Sequence, residues 1–125
     1  MHDITTHVVE GKGGGNDTTR ITALDAPGQG GACHVYQITD GDPNVEKVLG
    51  TVQFQNGPIQ EVGLNGVQQE HMLAIVIDRL SAFQAGKFAN AYNQEALQYT
   101  KAALGALHQR TKDRVLRQVE GHNVA

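Results

Sequence analysis

The sequence predicts a small α+β domain in which an antiparallel meander of about four short strands precedes two helices packed on one face of the sheet. Two observations predict this class. Short β-prone runs separated by turn residues fill the first half of the chain, and beyond about residue 65 the apolar residues recur at helical spacing. The chain has 125 residues, 5% aromatics and no Trp, so its one modest core is expected to be supplemented by oligomerisation.

The strands are predicted from the turn residues that bound them. Four β-prone runs meet this description: residues 21–24, 33–39, 47–55 and 58–63. The Asn56-Gly57 pair between the last two runs is a strong signal for a β-hairpin. Because the runs are short and follow one another closely, we expect each strand to pair with the next one along the chain.

Two helices are predicted in the second half of the chain. For the first, Asn65 and Gln68 have the spacing of a capping box, and Gly86 is suited to end the helix. Its apolar face is predicted to contain Met72, Leu73, Val76, Ile77, Leu80 and Phe83. The second helix is predicted from about Asn90 to about Gln118. Its apolar stripe is predicted to contain Leu97, Leu104, His108, Val115 and Val119.

The N-terminal residues have a different composition from the rest of the chain. Residues 1–20 end in the glycine-rich stretch 11–17, so we expect a flexible N-terminal segment followed by a single domain over 21–125. No apolar run approaches the about 20 residues that span a bilayer, and no signal-peptide pattern is present, so we expect a cytoplasmic protein without membrane contact. The lone cysteine, Cys33, is predicted to be a small buried side chain.

Charge is unevenly distributed along the chain. The net charge of −3 argues against general nucleic-acid binding, yet the last 25 residues carry five basic and two acidic residues. Arg110, Arg114 and Arg117 lie on one stripe of the second helix, at i, i+4 and i+7. This stripe either binds an anion, since guanidinium groups match phosphate oxygens, or is a solvated face partly neutralised by Asp113. Spacing alone leaves both interpretations open.

The chain shows no catalytic or metal-binding motif. None of its six histidines belongs to a His-Glu-x-x-His motif or is followed two residues later by Thr or Ser. The only serine, Ser81, falls inside a predicted helix, where a nucleophile has no suitable turn. The glycine-rich stretch 27–32 matches no phosphate-loop pattern, and could form either an anion-binding nest or a plain loop. We therefore predict a binding module with no metal and no cofactor, rather than an enzyme.

Several motifs taken together resemble one family. They are residues 24–34 (LDAPGQGGACH), 54–59 (FQNGPI), 61–67 (EVGLNGV), 75–80 (IVIDRL), 110–114 (RTKDR) and 119–121 (VEG). In this order and spacing, from about residue 21 to residue 121, the chain resembles the first class of Thoeris anti-defence proteins, a family of small phage proteins. Residues 1–20 carry no such match.

The resemblance implies a signal sponge that evades host immunity. Proteins of that family bind and sequester glycocyclic ADP-ribose, the messenger made by TIR-domain Thoeris proteins, without cleaving it. The resemblance also implies a homo-oligomer built from dimers, a hexamer, acting in the cytoplasm of the infected bacterium. Cyclic trinucleotides are expected as a second ligand at a separate site.

The resemblance further implies which residues form the messenger pocket. Its members here are Phe83, Asn93, Arg110 and Arg114. Phe83 is expected to stack on adenine, with nearby Phe88 as the alternative stacking residue. The two arginines are expected to chelate the pyrophosphate, and Asn93 to bond a base edge or a ribose hydroxyl.

The second site is expected in the N-terminal half, because the helical arginines belong to the first pocket. Its candidate residues are Thr18, Thr19, Arg20, Gly30 and Gly31. Arg20 is the only arginine before the first helix, and a hexamer of three dimers has a three-fold axis that suits a cyclic trinucleotide. The alternative is that this stretch is only a linker and a turn.

Two other classes of function stay open. The first is an enzyme that cleaves such messengers, which the absent motifs disfavour. The second is a structural or protein-binding phage component, whose arginine stripe would contact an acidic partner.

Overall fold

The computed structural model describes residues 1–122, in two compact units of which the first covers residues 1–57 and the second begins at Pro58. The first unit is a four-stranded antiparallel sheet and the second contains the helices, which confirms the predicted α+β class. The flexibility of residues 1–20, the single domain over 21–125 and the packing of the helices on the sheet stay predictions.

The sheet is a meander of four strands in the order β1-β2-β3-β4. They are β1 (His2–Ile4), β2 (Arg20–Ala23), β3 (Val35–Thr39) and β4 (Val48–Gln53). Ile4 pairs with Ile21, and Ile21 with Ile38, so the three isoleucines lie on one face of the sheet. The neighbouring Ala23 is fully buried. The register shifts by a bulge between Ile38 and Thr39.

The edge strand of the sheet comes from the N-terminus. The Asp3 carboxylate accepts hydrogen bonds from Arg20 Nη2 at 2.9 Å and from Thr22 Oγ1 at 3.3 Å, and these bonds hold β1 against β2. Both bonds, above all that from Arg20, hold the pKa of Asp3 below its usual value. The predicted segment 1–20 therefore contains one strand of the meander.

The predicted strand over 58–63 is wrong. Residues 59–62 form the short helix α1 (Ile59–Val62), which begins after Pro58 and ends at Gly63, where φ is +78°. Pro58 presets a backbone angle suited to the start of a helix. Ile59 and Val62 are also spaced three apart, which fits a helical turn better than a strand. The Asn56-Gly57 pair therefore joins the two units and makes no hairpin.

The connection between β2 and β3 is held by one carboxylate. Asp25 accepts the N–H of His34 at 2.9 Å and that of Val35 at 3.1 Å, and these bonds lower the pKa of Asp25. The Cys33 thiol donates to the Asp25 carbonyl at 3.3 Å and is buried, which confirms the prediction for this cysteine.

The two long helices are α2 (Gln69–Gln84) and α3 (Ala91–Leu116), which pack against each other as a helical hairpin. Helix α2 begins three residues later than predicted, because Gln68 and His71 form the capping box. Helix α3 begins as predicted, with the Asn90 side chain accepting the Asn93 N–H at 2.8 Å. No helix in the described part of the chain is long and apolar enough to cross a bilayer.

The hairpin leaves much of its apolar surface uncovered. No residue of α2 is buried, and in α3 only Leu97 and Arg114 are. Val76 and Val115, both predicted on apolar faces, are 43% and 56% exposed. The predicted apolar faces are therefore only partly covered within one chain.

Candidate ligand site on the helical hairpin

The four residues of the expected messenger pocket lie at opposite ends of the hairpin. Phe83 is in the last turn of α2 and Asn93 in the first turn of α3, whereas Arg110 and Arg114 are in the last turns of α3. At about 1.5 Å of rise per residue, Asn93 lies about 25 Å from Arg110 and about 31 Å from Arg114. Within one chain, therefore, the structure brings the residues together in two separate pairs.

The tip of the hairpin, residues 79–94, carries aromatic and cationic groups side by side. The rings of Phe83 and Phe88 are 6.2 Å apart and nearly perpendicular, at 81°. The Arg79 guanidinium lies over the Phe83 ring at 5.3 Å, and the Lys87 ammonium over the Phe88 ring at 5.8 Å. Aromatic faces next to cations suit a ligand with bases and phosphates.

A side-chain network fixes the backbone of the tip. The Gln84 amide accepts the Asn90 N–H at 3.0 Å and donates to the Asn90 carbonyl at 3.1 Å and to the Gln94 side chain at 3.2 Å. The Asn90 amide donates in turn to the Phe88 carbonyl at 3.0 Å. The last residue of α2 is thereby joined to the first turn of α3, where Asn93 lies.

At the other end of the hairpin, Arg114 is buried, with 4% of its surface exposed. Its guanidinium donates to the Glu120 carboxylate at 3.1 Å and to the carbonyls of Val119 and His122 at 3.0 and 2.7 Å. The chain turns back after α3 through Gln118, at φ +58°, so that residues 119–122 reach this side chain. Arg114 thus holds the C-terminal turn, residues 117–122.

The Glu120 carboxylate is held in its charged form. Burial raises its pKa, but the hydrogen bond from the Gly121 N–H and the Arg114 guanidinium outweigh this, and the pKa lies below the usual value. The Gly121 carbonyl accepts the Gln60 N–H at 2.9 Å, which joins the C-terminal turn to α1. At Gly121 a Cβ would come within 2.8 Å of the Gln60 side chain.

The three arginines of the predicted stripe differ in their surroundings. Arg117 pairs with Asp113 at 3.0 Å, which is the neutralising contact that the sequence predicted. Arg114 points inward to the C-terminal turn, whereas Arg110 is exposed. Among the described residues, Arg110 is therefore the exposed member of the stripe that forms no ion pair.

The candidate residues of the second site fall into two groups within the sheet unit. Thr18 and Thr19 donate to the Gly15 carbonyl at 3.5 and 2.9 Å, and Arg20 pairs with Asp3. Gly30 and Gly31, at φ +75° and +81°, lie in the connection that leaves the other end of β2. Since β2 spans four residues, about 10 Å separates the Cα atoms of Arg20 and Ala23 at its two ends. The two groups therefore adjoin opposite ends of β2.

Comparison with known proteins identifies the family of this chain. The model of the Acb2/Tad1 hairpin domain matches residues 46–112, which is more than half of the chain. The chain belongs to the Acb2/Tad1 hairpin-domain family. The family match contains Phe83, Asn93 and Arg110, and it ends before Arg114.

A curated relative of this Acb2/Tad1 chain comes from a phage. It is Thoeris anti-defense 1 of Bacillus phage SBSphiJ7, which is 45% identical over 73 residues. The alignment covers 58% of the present chain and 51% of the relative, so the chain spans about half the length of that protein. The resemblance to phage Thoeris anti-defence proteins is confirmed.

Sequence reasoning missed several residues of this site. Arg79, Lys87, Gln84 and Glu120 all contact expected pocket residues or their neighbours. The spacing of Arg79 and Phe83, four apart on one helix, was a usable signal. The other contacts depend on how the chain turns at the ends of α2 and α3. Within residues 1–122 no three His, Cys, Asp or Glu side chains are grouped to hold a metal ion.

Proposed function

We propose that this protein is a phage sponge that binds glycocyclic ADP-ribose in the cytoplasm of the infected host and releases it unchanged. The proposal is supported by one observation above all. The helical hairpin that matches the family has an aromatic, cationic tip at one end and an exposed arginine, Arg110, at the other. A dinucleotide-like messenger needs both kinds of contact, because it carries a base and a pyrophosphate.

Each messenger pocket is formed by two chains. The 25 Å or so of α3 between Asn93 and Arg110 exceeds the reach of one such ligand. A two-fold dimer of antiparallel hairpins brings the tip of one chain to the arginines of the other. The exposed apolar side chains of the hairpin, such as Ile75 and Leu116 at 58% and 84%, suit burial against a second chain. The dimers assemble further into a hexamer.

Ligand release is the experiment that separates the candidate functions. The protein is incubated with glycocyclic ADP-ribose, separated from free ligand and heated, and the supernatant is analysed by mass spectrometry. Intact messenger supports the sponge. A cleavage product would identify an enzyme instead, and absence of retained ligand would favour the structural or protein-binding module.

Arg110→Ala tests the pocket itself. A charge-assisted hydrogen bond contributes about 1.5–3 kcal/mol, so we expect messenger affinity to fall at least about tenfold by calorimetry. Lys101→Ala is the matched control, since Lys101 is an exposed cation on the same helix. Equal messenger affinities of the two variants would show that Arg110 does not contact the ligand. Light scattering that finds only 13.4 kDa species at micromolar concentration would contradict the two-chain pocket.

A second ligand, a cyclic trinucleotide, is proposed at the sheet unit through Thr18, Thr19, Arg20, Gly30 and Gly31. The observation in its favour is an open surface pocket that Arg20 lines together with Asp3, Thr22 and Thr39. The Arg20 side chain is 58% exposed there. Because Asp3 already pairs with Arg20, a bound phosphate has to share or replace that contact. Gly30 and Gly31 come to such a ligand from another chain of the hexamer.

A further inference from the structure

A carboxylate lies beside the arginines at the end of α3. Glu120 accepts the Arg114 Nε–H at 3.1 Å and the Gly121 N–H at 3.0 Å, and both bonds go to the same oxygen, Oε1. The Glu120 side chain is 38% exposed, whereas that of Arg114 is buried. The Glu120 charge is therefore fixed in position by the fold and still reaches the surface of the hairpin.

Arg110 lies within electrostatic range of this carboxylate. It precedes Arg114 by one helical turn on the same stripe of α3. Burial raises the pKa of Glu120, but the hydrogen bonds from Gly121 and Arg114 and the positive charges of Arg114 and Arg110 outweigh it. Arg110 is also the exposed arginine of the proposed messenger pocket. A phosphate bound to Arg110 therefore lies near a fixed negative charge.

The nearby acid Asp113 has different surroundings. Its carboxylate pairs with Arg117 at 3.0 Å, and the side chains of this pair are 65% and 48% exposed. Water and salt screen exposed charges, so the charge of Asp113 acts over a shorter distance than that of a carboxylate held against a buried guanidinium. Asp113 thus provides a comparison at the same end of the helix.

The charge of a phosphate group depends on how it is esterified. A terminal phosphate loses its second proton with a pKa of about 6 and carries close to two negative charges at pH 7. A phosphate that is esterified on both sides carries a single charge. In glycocyclic ADP-ribose both phosphates lie within the ring, so neither is terminal. ADP has the same pyrophosphate with a terminal phosphate at one end.

We propose that Glu120 is a specificity-determining residue, which makes the arginine end of the pocket select a pyrophosphate esterified at both ends over a terminal one. Arg110 attracts both kinds of ligand. The Glu120 carboxylate repels a nucleoside diphosphate more strongly, because electrostatic repulsion grows with the charge of the ligand. This inference rests on the proposed function and adds the class of nucleotide that the site disfavours.

Glu120→Gln tests the proposal, since glutamine keeps an oxygen acceptor for Arg114 and Gly121 but has no charge. The affinity for glycocyclic ADP-ribose is measured by calorimetry, and that for ADP by competition with the bound messenger. Low ionic strength is used, because charges are then least screened. We expect the affinity for ADP relative to that for the messenger to rise at least about threefold in Glu120→Gln.

Two further variants separate charge from other effects of the substitution. Asp113→Asn is the matched control, because it removes one negative charge from the same end of α3. Glu120→Asp keeps the charge and shortens the side chain. We expect both variants to keep the affinity ratio within about twofold of the unsubstituted protein. Both affinities are measured on the same variant, so any loss of folded protein cancels in the ratio.

Each outcome supports or overturns the proposal. An affinity ratio that rises less than threefold in Glu120→Gln overturns it, and so does failure of ADP to compete for that variant. An equal rise in Asp113→Asn would show that net charge alone is responsible, and an equal rise in Glu120→Asp would show that side-chain length is. If the unsubstituted protein does not bind the messenger, the proposed function fails instead, so the two failures are distinguishable.

Discussion

Replacing Arg114 by alanine is expected to destabilise the folded chain as well as weaken ligand binding. The Arg114 side chain is buried, and its guanidinium donates to the charged Glu120 carboxylate and to the carbonyls of Val119 and His122. The Arg114 side chain donates to the carbonyls of Val119 and His122 in the C-terminal turn, so Arg114→Ala removes contacts that Arg110→Ala leaves in place.

The expected loss of folding free energy in Arg114→Ala can be estimated from the contacts of its guanidinium. Breaking a buried ion pair from one side costs about 3–5 kcal/mol, and a hydrogen bond to a charged group contributes about 1.5–3 kcal/mol. The Glu120 side chain is 38% exposed and recovers part of its solvation when Arg114 is removed. We therefore expect Arg114→Ala to lower the free energy of unfolding by about 2–4 kcal/mol.

Urea unfolding followed by helical circular dichroism measures this change, at one protein concentration because an oligomer gains stability with concentration. Arg110→Ala is the control and is expected to remain within about 0.5 kcal/mol of the unsubstituted protein. Equal stability of the two variants would refute the structural role of Arg114. In that case the loss of messenger binding by Arg114→Ala would report on ligand contact alone.

Glu120→Gln tests whether the same ion pair makes the stability of the folded chain depend on pH. Because the pKa of Glu120 is lowered in the folded chain, its stabilising contribution is fully present above the unfolded value of about 4.5 and is lost as pH falls through the folded pKa. The stability difference between the unsubstituted protein and Glu120→Gln should therefore shrink below about pH 4.5. A difference that is constant from pH 7 to pH 3 would exclude the charge of Glu120 as its source.

Two further predictions concern the sheet unit. Arg20→Ala is expected to impair cyclic-trinucleotide binding and to leave messenger affinity within about twofold. Titration of both ligands tests this, and equal loss of binding of both ligands, or loss of neither, would show that the second site is placed wrongly. Gly41→Ala is expected to lower the free energy of unfolding by more than about 2 kcal/mol, because Gly41 has φ +91° and an added Cβ would overlap the Thr18 carbonyl. Gly50→Ala, with open space around the glycine, is the control in the same urea experiment, and equal stabilities would contradict the close approach.

Local chemistry made most of the elements predictable from the sequence. Asn90 is a good N-cap and begins α3 as expected. The predicted run 21–24 overlaps β2, and the runs 33–39 and 47–55 contain β3 and β4. Strand β1 was missed because three residues carry too weak a pattern. Its place in the sheet depends on contacts between Asp3 and residues 17 and 19 positions away.

The sequence predicts some candidate residues of the site, but it does not predict how they are arranged. Spacing on a helix shows that Arg110, Arg114 and Arg117 share a stripe, yet it cannot show that the chain after α3 turns back onto Arg114. The perpendicular rings of Phe83 and Phe88 likewise depend on the bonds that Gln84 makes to Asn90. Such contacts join residues beyond the range of a helical or strand pattern.

The length of α3 has a genetic consequence. If the tip of one chain meets the arginines of its partner, the lesions Phe83→Leu and Arg110→Ala fall in the same pocket only when they come from different chains of a dimer. A mixed dimer of the two defective alleles then has one pocket with both lesions and one with neither. With equal expression and free exchange of chains, about a quarter of all pockets are intact. Two phages that carry one allele each can thus restore partial sequestration in a cell that both infect.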